Sequence, residues 1–530
     1  MPHPPPLPRS ERFRGALPAL LLGCVLAVAL IPRFRNIAES LPYCRHVDEK
    51  TWIQIAWRML REGDPNPRRF TKPSLPAYTL VAGSALGVAR AQLNGDAKSV
   101  RDLGTRAYPY YRVPSAVEVP KWLFAGFSVG ALFFLGWLAR AVSQRAALYF
   151  VAPALALISS SYFLFSWSYL VVDILGAFFV WATTAYVYSW YQRTLRPGYG
   201  GRRALLDVVL AGVLAGATVG CKYNLFPIAL PCGLVLLYQG KKRMIPLGLL
   251  FSAAILGTFF LTTPYAVFDH STFMADVLRE MQHYSTGHRG QDNDGGLDSF
   301  LAYARVLYGN WGLLLPLAGL GIFELARTRF REFTLLYSFP IAFFLYMSKQ
   351  RVVFERNIVA VHLFVALGLA LGALRLVELA SPRLSKLGIT REAARTALAA
   401  GAVGALVLAG VPWRAVADAY RSDIESRNSA ERWLLEHVAA TTPVAVDSRL
   451  QMDTRSLAKQ RALSTIDVQA KGSSLTLAEL TPGTVALLPL DESDRFGPRP
   501  GKILARFGRS ELHKSGSALD GDPKLAVVQF

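Results

Sequence analysis

The feature that constrains this chain most is a recurrence of long apolar runs separated by short polar connections. A bilayer core is crossed by a helix of roughly 20 mostly apolar residues, because in lipid every backbone N–H and C=O must find its partner within the segment. About eleven runs approach that length: Ala16 to Ile31, Val119 to Leu138, Ala146 to Tyr162, Ile174 to Trp190, Ala204 to Gly220, Leu225 to Tyr238, Ile245 to Thr263, Val306 to Leu325, Phe333 to Met347, Ile358 to Leu376 and Thr396 to Val411. The expected fold class is an all-α polytopic membrane domain with about eleven transmembrane helices. Composition agrees, since 52% of the 530 residues are hydrophobic and only 18% charged, which excludes disorder and collagen. Four cysteines are too few for a disulfide framework. The first run reads as a retained anchor, because no small-x-small cleavage site follows it.

The net charge of +21 on so apolar a chain points to anchoring of connections at the membrane, not to nucleic acid. Every second connection is basic: Arg9, Arg12 and Arg14; Arg140 and Arg145; Arg193 to Arg203; Lys241 to Arg243; Arg327 to Arg331; Arg383 to Arg395. By the positive-inside rule these lie in the cytoplasm, with the amino terminus. The other connections and the tail then face outward, giving an integral, multi-pass protein of the kind found in a bacterial inner or plasma membrane. Leu75 to Ala91 is apolar enough to cross, but crossing would put Arg140 and Arg193 outside. It is expected to be a partly inserted or surface-lying helix within one external loop, residues 32–118. A second external loop spans residues 265–304.

Polar residues gather on the external side. Asp48-Glu49 opens an amphipathic run (Trp52, Ile53, Ile55, Ala56, Met59, Leu60) that ends at Gly63-Asp64-Pro65 and suits an interfacial helix. Helix capping accounts for one acid; two adjacent acids at a membrane surface also suit a base. Lys72-Pro73 puts an ammonium at headgroup depth, where snorkelling is the plain alternative. Asp173 precedes a span, and Lys222 in Gly220-Cys221-Lys222 interrupts two. The stretch His270 to Asp298 carries His283, His288 and Arg289 among glycines and acids, and reads as a lid or acceptor loop without a tight metal-ligand spacing. Lys349, Arg351 and Arg356 break the sidedness rule, as a site for a lipid phosphate would. Chemistry on one face and anchors on the other suits an enzyme at one leaflet. A lipid or polyprenyl-phosphate transporter, the alternative, would show mid-span charges, broken helices and an internal repeat.

In this order the elements resemble the polytopic GT-C glycosyltransferases of family 39, which includes protein O-mannosyltransferases and the lipid A aminoarabinose transferase. The matching residues are Asp48-Glu49, Gly63-Asp64, Phe70-Thr71-Lys72-Pro73-Ser74-Leu75, Arg112, Ser161-Tyr162 through Asp173, Gly212 to Lys222-Tyr223, Thr263-Pro264-Tyr265 and Phe354-Glu355-Arg356-Asn357, followed by Arg427, Ala430 and Trp433. Departures are Ser74 where a second proline is usual, Asn357 where an aromatic is common, and a longer stretch around Asn94 to Tyr111. The resemblance implies transfer of a hexosyl or pentosyl group from a polyprenyl-phosphate-linked sugar to a protein, lipid or glycan acceptor at the extracytoplasmic leaflet. It implies Asp48 as general base, with Glu49 orienting the acceptor or helping to hold a divalent metal ion. Lys72 and Arg356, with Lys222, would bind the donor phosphate, and Asp173 would support the donor sugar or a metal. No other cofactor is implied.

Residues 1–412 thus form the expected glycosyltransferase domain. Residues 413–530 form a small extracytoplasmic α/β domain, with an amphipathic helix over Ser422 to Ala439 and strands at Pro443 to Asp447 and Thr484 to Leu488.

Overall fold

The computed structural model describes residues 9–44, 46–104, 111–159, 161–162, 170, 172–239, 241–288, 293–384, 391–420, 425–447, 450, 452–460, 463–466, 480–489, 501–507 and 524–530. The chain opens with α1 (Arg9–Ser40), α2 (Val47–Glu62), α3 (Leu75–Leu93), α4 (Ser115–Ser143), α5 (Leu148–Ala156), α6 (Val172–Thr194) and α7 (Gly201–Cys221). A 3-10 turn, Tyr223–Ile228, leads into α8 (Ala229–Tyr238); α9 (Lys241–Thr262), α10 (His270–Thr286), α11 (Leu297–Trp311), α12 (Leu315–Thr328) and α13 (Phe330–Ser348) follow. A second 3-10 turn, Glu355–Ile358, starts α14 (Val359–Arg383), and α15 (Glu392–Gly410) ends the apolar part. Among the described residues, eight helical stretches are long and apolar enough to cross a membrane, from Ala16–Ser40 to Glu392–Gly410.

Three of the expected spans differ. The run from Ala146 is helical only over the nine residues of α5 before the described helix stops, and the run from Leu225 is split into the 3-10 turn and the ten residues of α8. The run from Phe333 forms the 19-residue α13, which carries Arg331 and Glu332 in its first turn and falls outside the eight. Leu75–Leu93 is one helix, likewise outside them.

Small residues set how closely the helices approach. Gly212, Gly216 and Gly220 recur every fourth residue, so they share one face of α7, and a Cβ on each would run into Ala254, Thr258 or Thr262 of α9. Gly368 and Gly372 of α14 do the same against Ala318, Leu317 and Gly321 of α12, where backbone meets backbone. Between helices in lipid, such van der Waals fit replaces the hydrophobic drive available in water.

Beyond α15 lie α16 (Trp413–Tyr420), α17 (Ser426–His437), a short α18 (Arg455–Gln460) and a five-stranded sheet. Its strands are β1 (Val444–Asp447), β2 (Leu463–Ile466), β3 (Val485–Pro489), β4 (Lys502–Phe507) and β5 (Leu525–Gln529), in the order β2-β1-β3-β5-β4. β1 runs parallel to β2 and β3, while β5 is antiparallel to β3 and β4. β1 is buried along its whole length, as a central parallel strand should be. The sheet has its own apolar core of Leu434, Val444, Val446, Leu487 and Val527, and that core includes Tyr43 from the connection after α1.

Candidate active site

α2 starts where His46, in extended conformation, accepts a hydrogen bond on Nδ1 from the Asp48 backbone N–H at 3.1 Å. Asp48 and Glu49 in its first turn complement the helix dipole, and Gly63 at φ 64° closes it in the left-handed cap. Trp52, Ile53, Ala56, Trp57 and Met59 of α2 are buried in the protein core. The expected interfacial helix therefore packs on protein, and its apolar stripe is spent on α3, not on lipid.

The two acids part company at once. Asp48 stays 39% exposed and its Oδ2 lies 2.8 Å from Arg356 Nη2. Glu49 is fully buried, with Oε1 2.9 Å from Lys121 Nζ and accepting from Tyr111 Oη at 2.9 Å. Adjacent helical residues point about 100° apart, so a helix packed on one face sends one of such a pair inward. This corrects the expectation that Glu49 orients an acceptor or helps to hold a metal.

From Asp48 the polar groups run on without a break. Arg356 Nε lies 3.8 Å from Asp173 Oδ2, and Lys222 Nζ lies 2.5 Å from Asp173 Oδ1. Lys222 also donates to Asn357 Oδ1 at 2.7 Å; that amide donates to Tyr303 Oη at 3.1 Å and accepts from Tyr284 Oη at 3.5 Å. Lys72 Nζ lies 5.6 Å from the Tyr284 ring and is ion-paired with Glu280. Lys72 thus faces the cluster and does not snorkel. Local breaks in the helices place these groups: α7 stops at Cys221 so that Lys222 is extended, and the 3-10 turn after Phe354 turns Arg356 and Asn357 inward.

The long stretch expected as a lid is mostly the helix α10. It is tied down by Asp276 Oδ2 accepting from Phe70 N at 2.7 Å and by Asp269 Oδ2 accepting from Asn66 Nδ2 at 2.8 Å. His283 and His288 stand at the cluster's edge in a row of rings. His283 lies 5.3 Å from His288, His288 lies 5.2 Å from Phe354, and Phe354 sits 4.3 Å under the Arg356 guanidinium. Arg289 lies outside the described residues. Of the three cations that break the sidedness rule only Arg356 joins the cluster; Arg351 lies half-exposed, 3.9 Å from Asp294.

Three carboxylates (Asp48, Asp173, Glu280) thus meet three cations (Lys72, Lys222, Arg356). Burial pushes the Asp48 carboxyl up, but Arg356, then His46, Lys72 and Lys222, outweigh it and hold it below its ordinary 3.8. Asp48 is therefore ionised at neutral pH. Burial holds His283 below its ordinary 6.5, against the pull of Glu280. Both Asp173 oxygens face cations, and among the described residues no trio of His, Cys, Asp or Glu is gathered that could hold a metal ion. Lys121, as the partner of Glu49, and Tyr284, beside Lys72, were not legible. A lysine just inside an apolar span was the one available signal, since such a charge needs a partner.

No family model matches this sequence, and no curated protein matches it. Solved structures similar to it include the oligosaccharyltransferase of Archaeoglobus fulgidus in its apo form, with a TM-score of 0.52 at 13% identity over 81% of this chain and 62% of that one. The same archaeal enzyme in complex with an inhibitory peptide and a dolichol-phosphate gives 0.51 at 13% identity, over 82% and 62%. ArnT from Cupriavidus metallidurans bound to undecaprenyl phosphate gives 0.48 at 16% identity, over 95% and 97%. The fold is that of a GT-C polytopic protein, and the chain is an integral, multi-pass membrane protein.

Proposed function

We propose that this chain is an integral-membrane glycosyltransferase that moves a sugar from a polyprenyl-phosphate donor to an acceptor at the extracytoplasmic leaflet. The observation that carries the reading is the continuous run from Asp48 through Arg356 and Asp173 to Lys222, with Lys72 beside it, in a bundle of membrane-length helices. A GT-C fold that holds a dolichol-phosphate in the archaeal oligosaccharyltransferase agrees with a lipid-phosphate donor.

The acceptor oxygen attacks the anomeric carbon while the bond from that carbon to the donor phosphate oxygen breaks. The bonding pair leaves with polyprenyl phosphate, and the acceptor proton passes to an Asp48 carboxylate oxygen. Attack opposite the leaving group inverts the anomeric centre. Because the phosphate is a competent leaving group, the chain needs a base and cations more than a strong acid.

The cluster is electrically balanced, so an arriving phosphodiester can bind only by loosening an internal pair. Arg356 is the natural one to move: of Lys72, Lys222 and Arg356 it is the one ion-paired with two carboxylates, and one of its partners is already at 3.8 Å. As it turns to the phosphate, Asp48 loses the charge that depressed its basicity. Binding of the leaving group and arming of the base are then one motion. Lys72, released from Glu280, and Lys222 share the charge that develops on the phosphate. His283 and His288 border the acceptor side. Purified protein in vesicles, given a polyprenyl-phosphate-linked sugar and an acceptor hydroxyl, is expected to release polyprenyl phosphate and form a glycosidic bond. Movement of the lipid across the bilayer with no glycosidic bond formed would replace this reading with a transporter.

A further inference from the structure

The C-terminal α/β domain grips the segment that leads into Asp48. Tyr43, five residues before Asp48, is fully buried in that domain's core with Leu434, Val446 and Val527. The Arg427 guanidinium lies 3.8 Å from the centre of the Tyr43 ring and is held by Glu425 at 2.6 Å. Tyr43 Oη accepts from Asp453 N at 3.0 Å. Asn428 Nδ2 donates to two carbonyls of the same segment, Glu39 O at 3.0 Å and Leu41 O at 2.9 Å.

The membrane part holds the same segment from the other side. Pro42 O accepts from Tyr111 N at 2.9 Å, and the Tyr111 hydroxyl donates to Glu49. One residue on, Arg112 O accepts from Arg455 Nη1 at 3.3 Å, so the domain reaches that strand of chain as well. Downstream of Tyr43 little slack remains: Cys44 Sγ donates to His46 O at 3.1 Å, and His46 caps the turn that carries Asp48.

From this geometry we infer that the C-terminal domain is a positioning module, and that its grip on Tyr43 sets where the Asp48 carboxylate stands. Tyr43, Arg427 and Asn428 are positioning residues that act through the 39–48 segment and touch neither donor nor acceptor. The inference deepens the proposed function, because it assigns a task to a domain in which no catalytic cluster is visible among the described residues. Burying Tyr43 in one body while Asp48 belongs to another makes their separation a property of domain docking. A displacement of about 1 Å of a catalytic group can lower a rate about 100-fold.

Cys44 is a built-in reporter, since it lies between the grip and the site. It is 7% exposed, and burial pushes its thiol up to about 12. The full-length protein in detergent, wild type and with Asn428→Ala, Tyr43→Ala or Tyr43→Phe, is treated at pH 7 with a water-soluble maleimide, and labelling is read peptide by peptide. Asn428→Ala and Tyr43→Ala are expected to speed Cys44 labelling at least about tenfold while buried Cys221 and Cys232 stay unlabelled, as a folded membrane part requires. Tyr43→Phe, which keeps the ring under Arg427, is expected to stay near wild type. Transfer kcat should fall about 10- to 100-fold in the first two variants with the donor KM within about threefold. Protected Cys44 in both alanine variants, or exposed Cys44 with an unchanged kcat, overturns the inference. If the wild type transfers no sugar, the glycosyltransferase reading fails, and the Cys44 labelling still decides whether the domain holds the segment.

Discussion

Asp48 and Glu49 are neighbours in sequence, and the structure gives them opposite consequences on substitution. Glu49 and Lys121 have side chains 0% and 1% exposed at 2.9 Å, a buried ion pair in which each charge depends on the other. Glu49→Gln would take from the buried Lys121 ammonium the carboxylate it faces at 2.9 Å. Breaking a buried pair from one side costs about 3–5 kcal/mol, so the thermal midpoint of Glu49→Gln should fall by several degrees. Lys121→Met should do the same, and the double variant Glu49→Gln/Lys121→Met should recover most of the loss, since no lone charge remains. Asp48 is 39% exposed and its pair with Arg356 is partly screened, so Asp48→Asn should change stability by no more than about 1 kcal/mol. As the proposed base it should nevertheless lose about 10²- to 10⁴-fold in transfer rate. The assay pairs a heating series on the detergent-solubilised protein with release of polyprenyl phosphate by the surviving fraction. An Asp48→Asn variant with full transfer, or a Glu49→Gln variant as heat-stable as wild type yet inactive, would refute the assignment of roles.

The pH dependence follows from the direction of the Asp48 shift. Its folded carboxyl is held below 3.8, so the base form persists above that pH and is lost only as pH falls through the lowered value. The acid limb of kcat/KM for the free protein is expected below pH 3.8, or to be cut off by unfolding before it appears; a limb centred near neutrality would mean that another group is the base. At the packing level, Gly372→Leu is expected to abolish accumulation of folded protein, because its side chain would occupy the space of Leu317 O in α12; Gly401→Leu, where a Cβ meets nothing within 4 Å, should accumulate normally. Equal yields of the two would show that the α12 to α14 approach is not what the glycines serve.

Much of the class was legible from sequence because membrane insertion is a local criterion. A run such as Val119 to Leu138 or Ile358 to Leu376 must be helical and spanning whatever surrounds it, since its backbone groups have no partner in lipid except each other. Some members of the charged cluster were open to a similar argument: Asp173, Lys222 and Arg356 lie at the ends of apolar runs, where a charge needs a partner. Local rules gave out where packing decides. Hydrophobicity could not tell that α5 and α8 would be short, or that the apolar face of α2 would be covered by protein.

What only the tertiary structure decided is which charge faces which. Asp48 and Glu49 are equivalent in composition and spacing, yet the rotation of α2 against α3 and α4 sends Glu49 to Lys121 and leaves Asp48 to Arg356, more than three hundred residues away in the chain. The same holds for Tyr43, which reads as one aromatic among many until the C-terminal sheet closes over it. Side-chain type is written residue by residue, whereas ion pairs and aromatic sockets depend on the relative placement of whole helices, a property of the packed bundle that no single stretch of sequence contains.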